Sequence, residues 1–163
     1  MAIQGIEQPK IIQIDHSLRL RKYDGNCSFA LPWYQDTDMV YLVDGRREVY
    51  TMKKLEQMYH YLNDIGELYF IEILENGKYH PIGDVTFWKE DMPIVIGEQL
   101  YRGKGIGRKV LTALTDRGRE LGYHKLYVEE IYTYNEGSKR CFESVGFLPY
   151  ERTRQGARYV MEL

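Results

Sequence analysis

A chain of 163 residues with 44% apolar and 13% aromatic side chains can bury a core of its own, which excludes a disordered tail or linker. A formal charge of −2 gives no ground for nucleic-acid binding, and no apolar run approaches the roughly 18 to 20 residues of a membrane span. Cys27 and Cys141 stand in no metal-ligand spacing, and Met1 to Lys10 lacks the basic-then-apolar order of a secretory leader. A cytoplasmic protein with reduced thiols and no metal is therefore expected.

In chain order, Ile11 to Ile14 and Leu18 to Lys22 predict short strands split by the polar break Asp15-His16-Ser17. A helix is placed within Phe29 to Leu42, against the signal of Pro32. Leu55, Met58, Tyr59, Leu62 and Ile65 follow the three-and-four spacing of an amphipathic helix over Met52 to Ile65, with Thr51 as N-cap and Gly66 as stop. Leu68 to Leu74 and Ile82 to Trp88 read as strands joined through Asn76-Gly77, a strong hairpin signal. Pro93 to Gly97 is a further short strand. It leads through a glycine-rich loop into a helix carrying Ile106, Val110, Leu111, Leu114 and Leu121, which Gly122 ends.

Lys125 to Tyr132 predicts the next strand, and Asn135 opens a helix with Ser138, Cys141, Phe142 and Val145 on one stripe, closed by Gly146. Phe147 to Arg152 and Arg158 to Leu163 form a last hairpin around Gln155-Gly156. With no linker, repeat or low-complexity stretch, the order predicts one mixed α+β domain over residues 1–163.

Charge is divided along the chain. Residues 1–100 hold 16 acidic and 10 basic side chains, and residues 101–163 hold 8 acidic and 12 basic. A basic half suits a phosphorylated ligand and an acidic half a cationic one; ordinary scatter of solvated charge is the competing reading.

The loop Tyr101-Arg102-Gly103-Lys104-Gly105-Ile106-Gly107-Arg108 carries the chemistry. Glycines let the main chain approach a ligand closely, and the unpaired amides of a helix N-terminus, with its positive dipole end, favour an anion. Arg102, Lys104, Arg108 and Lys109 add full charges there. A mononucleotide P-loop needs Ser or Thr after Gly-Lys, whereas Gly105 follows Lys104. A dinucleotide fingerprint needs its third glycine one residue later and an earlier place in the chain. Arg-x-x-Gly-x-Gly, met by Arg102, Gly105 and Gly107, fits.

That segment resembles the central motif of the GCN5-related N-acetyltransferase (GNAT) superfamily, in which such amides hold the pyrophosphate of coenzyme A. The similarity continues through Leu126 to Ile131, Asn135, Ser138 and Gly146-Phe147, and covers residues 66–163 best. Ile96-Gly97-Glu98 with Tyr101 and Lys104 to Gly107 is also similar to aminoglycoside 6′-N-acetyltransferases. The resemblance implies a central mixed twisted sheet of about six to seven strands flanked by helices. It also implies acetyl-CoA as co-substrate and a small-molecule or peptide amine as acceptor. Cofactor contacts would come from Ile96, Gly97, Arg102, Gly103, Lys104, Gly105, Ile106, Gly107, Arg108, Asn135 and Ser138. A homodimer is common in the superfamily.

Acetyl transfer to an amine needs a base for the ammonium proton, polarisation of the thioester carbonyl and a proton for the departing thiolate. Glu130 and Glu98 are the candidate bases, each with solvent-facing strand residue as the alternative. Simple alternation sends Glu129 and Glu130 to opposite faces. A backbone N–H near Ile96 or Gly97 is the expected carbonyl donor. Many superfamily members carry a tyrosine acid seven residues after the Asn, where this chain has Phe142, so Tyr134 and Tyr132 are the substitutes considered. Asn135 also reads as a plain N-cap and Ser138 as a packing residue. Cys141, on an apolar stripe, reads as packing before acyl carrier. Trp33, Tyr34, Asp36 and Asp38 are acceptor-pocket candidates against ordinary surface-helix residues. The rival class is a catalytically silent CoA-sensing module, for which Phe142 is the best support.

Overall fold

The chain is described by a computed structural model covering residues 2–163. Its strands are β1 (Ile11–Gln13), β2 (Leu18–Lys22), β3 (Glu67–Glu75), β4 (Lys78–Phe87), β5 (Ile94–Ile96), β6 (Lys125–Tyr132), β7 (Leu148–Arg152) and β8 (Gly156–Glu162). Its α-helices are α1 (Thr37–Asp44), α2 (Met52–Ile65), α3 (Ile106–Glu120) and α4 (Glu136–Val145), with 3₁₀ helices at Ser28–Gln35 and Gln99–Tyr101. They fall into two units, each described by itself. One takes the residues up to Thr86 with Ile94–Tyr101, the other Phe87–Pro93 with Arg102–Leu163.

In the first unit β1 to β5 lie side by side in chain order. The Asn76-Gly77 turn between β3 and β4 has φ of 50° and 77°, the left-handed pair that a two-residue hairpin demands. α2 covers this sheet because Leu55, Tyr59 and Leu62 recur on one face, where they join Leu68, Phe70 and Val95 in the core. Thr51 Oγ1 accepts from the Lys54 N–H at 3.2 Å, the predicted cap. Glu72 is buried in β3, yet Arg19 and Arg21 each donate to it at 2.8 Å, so its charge is paired.

The second unit holds a three-stranded sheet in the order β6-β8-β7, and in it α3 and α4 pack against each other. β8 runs antiparallel to β6 from Lys125↔Glu162 to Tyr132↔Gly156. The mixed α+β class is as expected. Among the described residues, however, eight strands form two antiparallel sheets, of five and three strands, instead of one central mixed sheet. The reason is that the C-terminal hairpin supplies the backbone partners of β6. The helix placed over Phe29 to Leu42 is also divided. Pro32 lies within a 3₁₀ stretch, and Asp36 restarts the chain as N-cap of α1, accepting from the N–H groups of Asp38 and Met39. No helix among the described residues is long and apolar enough to cross a membrane.

Candidate functional site

In the second unit the glycine-rich loop and α4 belong to one packed body. Gly103 and Gly105 have φ of 71° and 81°, a region most side chains avoid, and an added Cβ at either would meet nothing within 4 Å. The loop is thus open on that side. Gly105 is the N-cap of α3, and its end carries no side-chain cap and no acidic residue in the first turn. Lys109 N–H donates to Gly105 O at 3.2 Å, so the amides before it start the helix without intrahelical partners. Lys104 and Arg108 are exposed, and Arg102 is half-buried. Ile106, Val110, Leu111 and Leu114 fix α3 through its buried face. Glycine backbone, bare amides, a dipole end and cations fit a diphosphate group.

α4 begins one turn from the strand β6. Asn135 Oδ1 accepts from the Ser138 N–H at 3.1 Å, so Asn135 is the N-cap that the sequence predicts, and Ser138 sits half-buried one turn in. Phe142 is 2% exposed and meets Phe147 edge to face at 5.3 Å, a packing residue. Burial pushes the Cys141 thiol up and the Arg108 charge opposes this, which leaves a protonated, poorly nucleophilic sulfur. Tyr134 is exposed and stacks on Tyr132 at 5.2 Å.

β6 does not alternate simply. Its register against β8 shifts between Val128 and Ile131, and both Glu129 and Glu130 are exposed. A bulge therefore replaces the expected opposite-face arrangement of the pair. Glu130 Oε2 accepts from Thr153 Oγ1 in the β7–β8 connection. The Glu129 N–H donates to Asp91, whose carboxyl burial pushes up to about 6. An open groove of about 490 Å³ in this unit is lined by Ile131, Lys139, Glu143, Tyr150, Arg152 and Tyr159 among others, and by none of the predicted site residues.

In the first unit, β5 ends at Ile96, followed by Gly97 and Glu98. Both the Gly97 and Glu98 N–H groups donate to Ile82 O, at 2.8 and 3.1 Å. The Gly97 amide, expected to polarise a carbonyl, is thus already engaged within the sheet. Trp33 Nε1–H donates to Glu98 Oε1 at 2.9 Å. Trp33 and Tyr34 are buried, and Asp36 caps α1. Asp38 pairs with Arg47 on the surface.

A Cβ on Gly97 would lie 2.2 Å from Trp33 Cγ. We expect Gly97→Ala to destabilise the protein by about 2 kcal/mol or more, because neither the strand backbone nor the enclosed indole can give way. A urea unfolding midpoint equal to wild type would contradict that packing.

One side chain and one contact here are not among the sequence expectations. Asp84 on β4 is 2% exposed, and its Oδ2 accepts from Tyr34 OH at 2.7 Å and Tyr59 OH at 2.8 Å. A lone acid inside the apolar run Ile82 to Trp88 is the signal that marks it. Trp33 as a partner of Glu98 has no such signal, being 65 residues away in the chain.

The sequence matches the model of the Acetyltransferase (GNAT) family over residues 32–147. No curated protein matches it significantly. Among solved structures, the GNAT-family acetyltransferase from Bacillus anthracis is 16% identical with a TM-score of 0.75, covering 94% of this chain and 97% of its own. Aminoglycoside acetyltransferase AAC(6')-Ib in complex with coenzyme A is 19% identical with a TM-score of 0.70, covering 90% and 95%. An acetyltransferase from Salmonella typhimurium, which modifies the N-terminal serine of ribosomal protein L7/L12, is 15% identical with a TM-score of 0.70, covering 94% and 99%. At these identities the structures speak for the fold alone. The family match, over well more than half of the sequence, goes further: the chain belongs to the GNAT acetyltransferase family.

Proposed function

We propose that residues 1–163 act as one N-acetyltransferase domain, which moves the acetyl group of acetyl-CoA to a primary amine by direct transfer in a ternary complex. The observation that carries this is the uncapped N-terminus of α3 behind a glycine loop with open space at Gly103 and Gly105. In this reading the amides of Gly103 to Arg108, with Arg102, Lys104 and Arg108, hold the pyrophosphate. The resemblance assigns Ile96, Gly97, Asn135 and Ser138 as further cofactor contacts.

Glu98 takes a proton from the acceptor ammonium, whose nitrogen then attacks the thioester carbon. As the C–S bond breaks, the nitrogen loses its second proton to water, and Tyr134 or water gives a proton to the departing thiolate. Glu130, whose Oε2 accepts from Thr153 Oγ1, is the other candidate base. The protonated Cys141 supports direct transfer over an acyl-enzyme route. Acceptors as unlike as an aminoglycoside and a ribosomal N-terminal serine among the similar structures leave the amine to be found by screening.

The test is release of CoA thiol from acetyl-CoA in the presence of kanamycin, spermidine and a serine-initiated peptide. Intersecting initial-rate lines are expected with the best acceptor. Parallel lines, the mark of a ping-pong route, would overturn direct transfer. Buried Phe142 favours one second reading, a CoA-binding module without turnover. Tight acetyl-CoA binding with no thiol release from any amine would establish that reading instead.

A further inference from the structure

We propose that Trp33 is a positioning residue for Glu98, fixing that carboxylate for the acceptor's proton; this rests on the reading of Glu98 as the base. An exposed glutamate on a loop ordinarily samples several rotamers, each lost orientation costing rate. Glu98 is exposed, but its Oε1 accepts from the indole of a tryptophan that is only 3% exposed. That indole has little freedom. It fills the space where a Gly97 side chain would begin, and Phe29 meets its ring edge-on at 5.9 Å.

The backbone under Glu98 is held as well, since the Gly97 and Glu98 N–H groups converge on Ile82 O. On the 3₁₀ helix Ser28–Gln35, the neighbour of Trp33 is Tyr34, anchored through Asp84 to Tyr59 of α2. A chain of buried contacts therefore runs from the sheet core to one carboxylate oxygen. The partner chosen is also chemically apt. An indole N–H donates and cannot accept, and it carries no charge. It orients the carboxylate without the countercharge that lysine or arginine would bring, and leaves Oε2 to receive the ammonium proton.

The test compares Trp33→Phe, Glu98→Gln and the double variant by CoA-thiol release with the best amine of the panel. Trp33→Phe keeps an aromatic ring over Gly97 and removes the donor together with part of the indole's bulk, which is why the comparison is made in both backgrounds. We expect its kcat to fall roughly tenfold or more with KM for acetyl-CoA unchanged within about twofold. On the Glu98→Gln background the same substitution is expected to cost nothing further. An equal loss in both backgrounds would make Trp33 merely structural and overturn the proposal.

A second measurement does not depend on turnover or on Trp33→Phe folding. The chain has two tryptophans, so the indole ¹H–¹⁵N signals of Trp33 and Trp88 are separable through Trp88→Phe. The Trp33 signal is expected to move in Glu98→Gln, and an unmoved signal would deny the hydrogen bond. If the signal moves but Glu98→Gln keeps full kcat, the base assignment is what has failed, and the positioning role falls with it.

Discussion

Gly105→Asp is expected to abolish acetyl-CoA binding in calorimetry, with affinity down roughly a hundredfold or more, while the protein stays folded. Two features of the loop separate these effects. The added side chain has room, since nothing lies within 4 Å of the Cβ position, so no packing is disturbed. It enters on the open side of the loop, where the diphosphate would lie, and sets a negative charge against it. The cost to the fold is backbone strain of about 1 to 2 kcal/mol, because a side chain at this φ is strained whatever the space around it. Aspartate tolerates a φ of 81° better than most residues, and a carboxylate beside the first turn of α3 interacts favourably with the dipole. Gly105→Asn, similar in shape but neutral, is expected to retain more affinity than the aspartate. Undiminished binding by Gly105→Asp would remove the loop from the cofactor site.

Asp84→Ala is expected to cost on the order of 3 kcal/mol or more, because it strands the hydroxyls of Tyr34 and Tyr59 in the core. Asp84→Asn, which keeps an acceptor for them, gives the opposite result near neutrality. Burial pushes the Asp84 carboxyl up to about 6, against the two tyrosine hydrogen bonds that lower it. In the unfolded chain the carboxyl titrates near 3.9. Between these values the native state binds more protons than the unfolded one, so stability falls as pH rises. The contribution is fully present below about pH 4 and lost above about pH 6, and amounts to roughly 3 kcal/mol. Urea unfolding at pH 4.5 and 7.5 should show Asp84→Asn gaining on wild type at the higher pH. A constant gap between the two proteins would mean that Asp84 titrates alike folded and unfolded. Asp91 adds a slope of the same sign, so the variant's own profile will not be flat.

Local signals in the sequence translated well where they were self-contained. The Asn76-Gly77 turn, the Thr51 and Asn135 caps and the left-handed Gly146 each depend on a few neighbouring residues, and each appears as read. The apolar stripe of α2 is likewise a property of its own fourteen residues. Phe29 to Leu42 is helical but divided, because Pro32 lies in a 3₁₀ stretch and Asp36 restarts the chain as a cap. The alternation assumed for Glu129 and Glu130 failed because a bulge depends on the partner strand as much as on β6.

By itself the sequence determined the family, and with it the expectation of acetyl-CoA as donor. Gly103, Gly105 and Gly107 set a backbone conformation, and Arg102, Lys104 and Arg108 set a charge, within one short segment that needs no distant partner to be understood. Only the tertiary structure decided how the strands divide, that Gly97 N–H is engaged by Ile82, and that Tyr34 and Tyr59 meet on Asp84. The same holds for the indole of Trp33 on Glu98. These contacts join residues far apart in the chain, and a hydrogen bond is set by separation in space, which no local pattern of residues encodes.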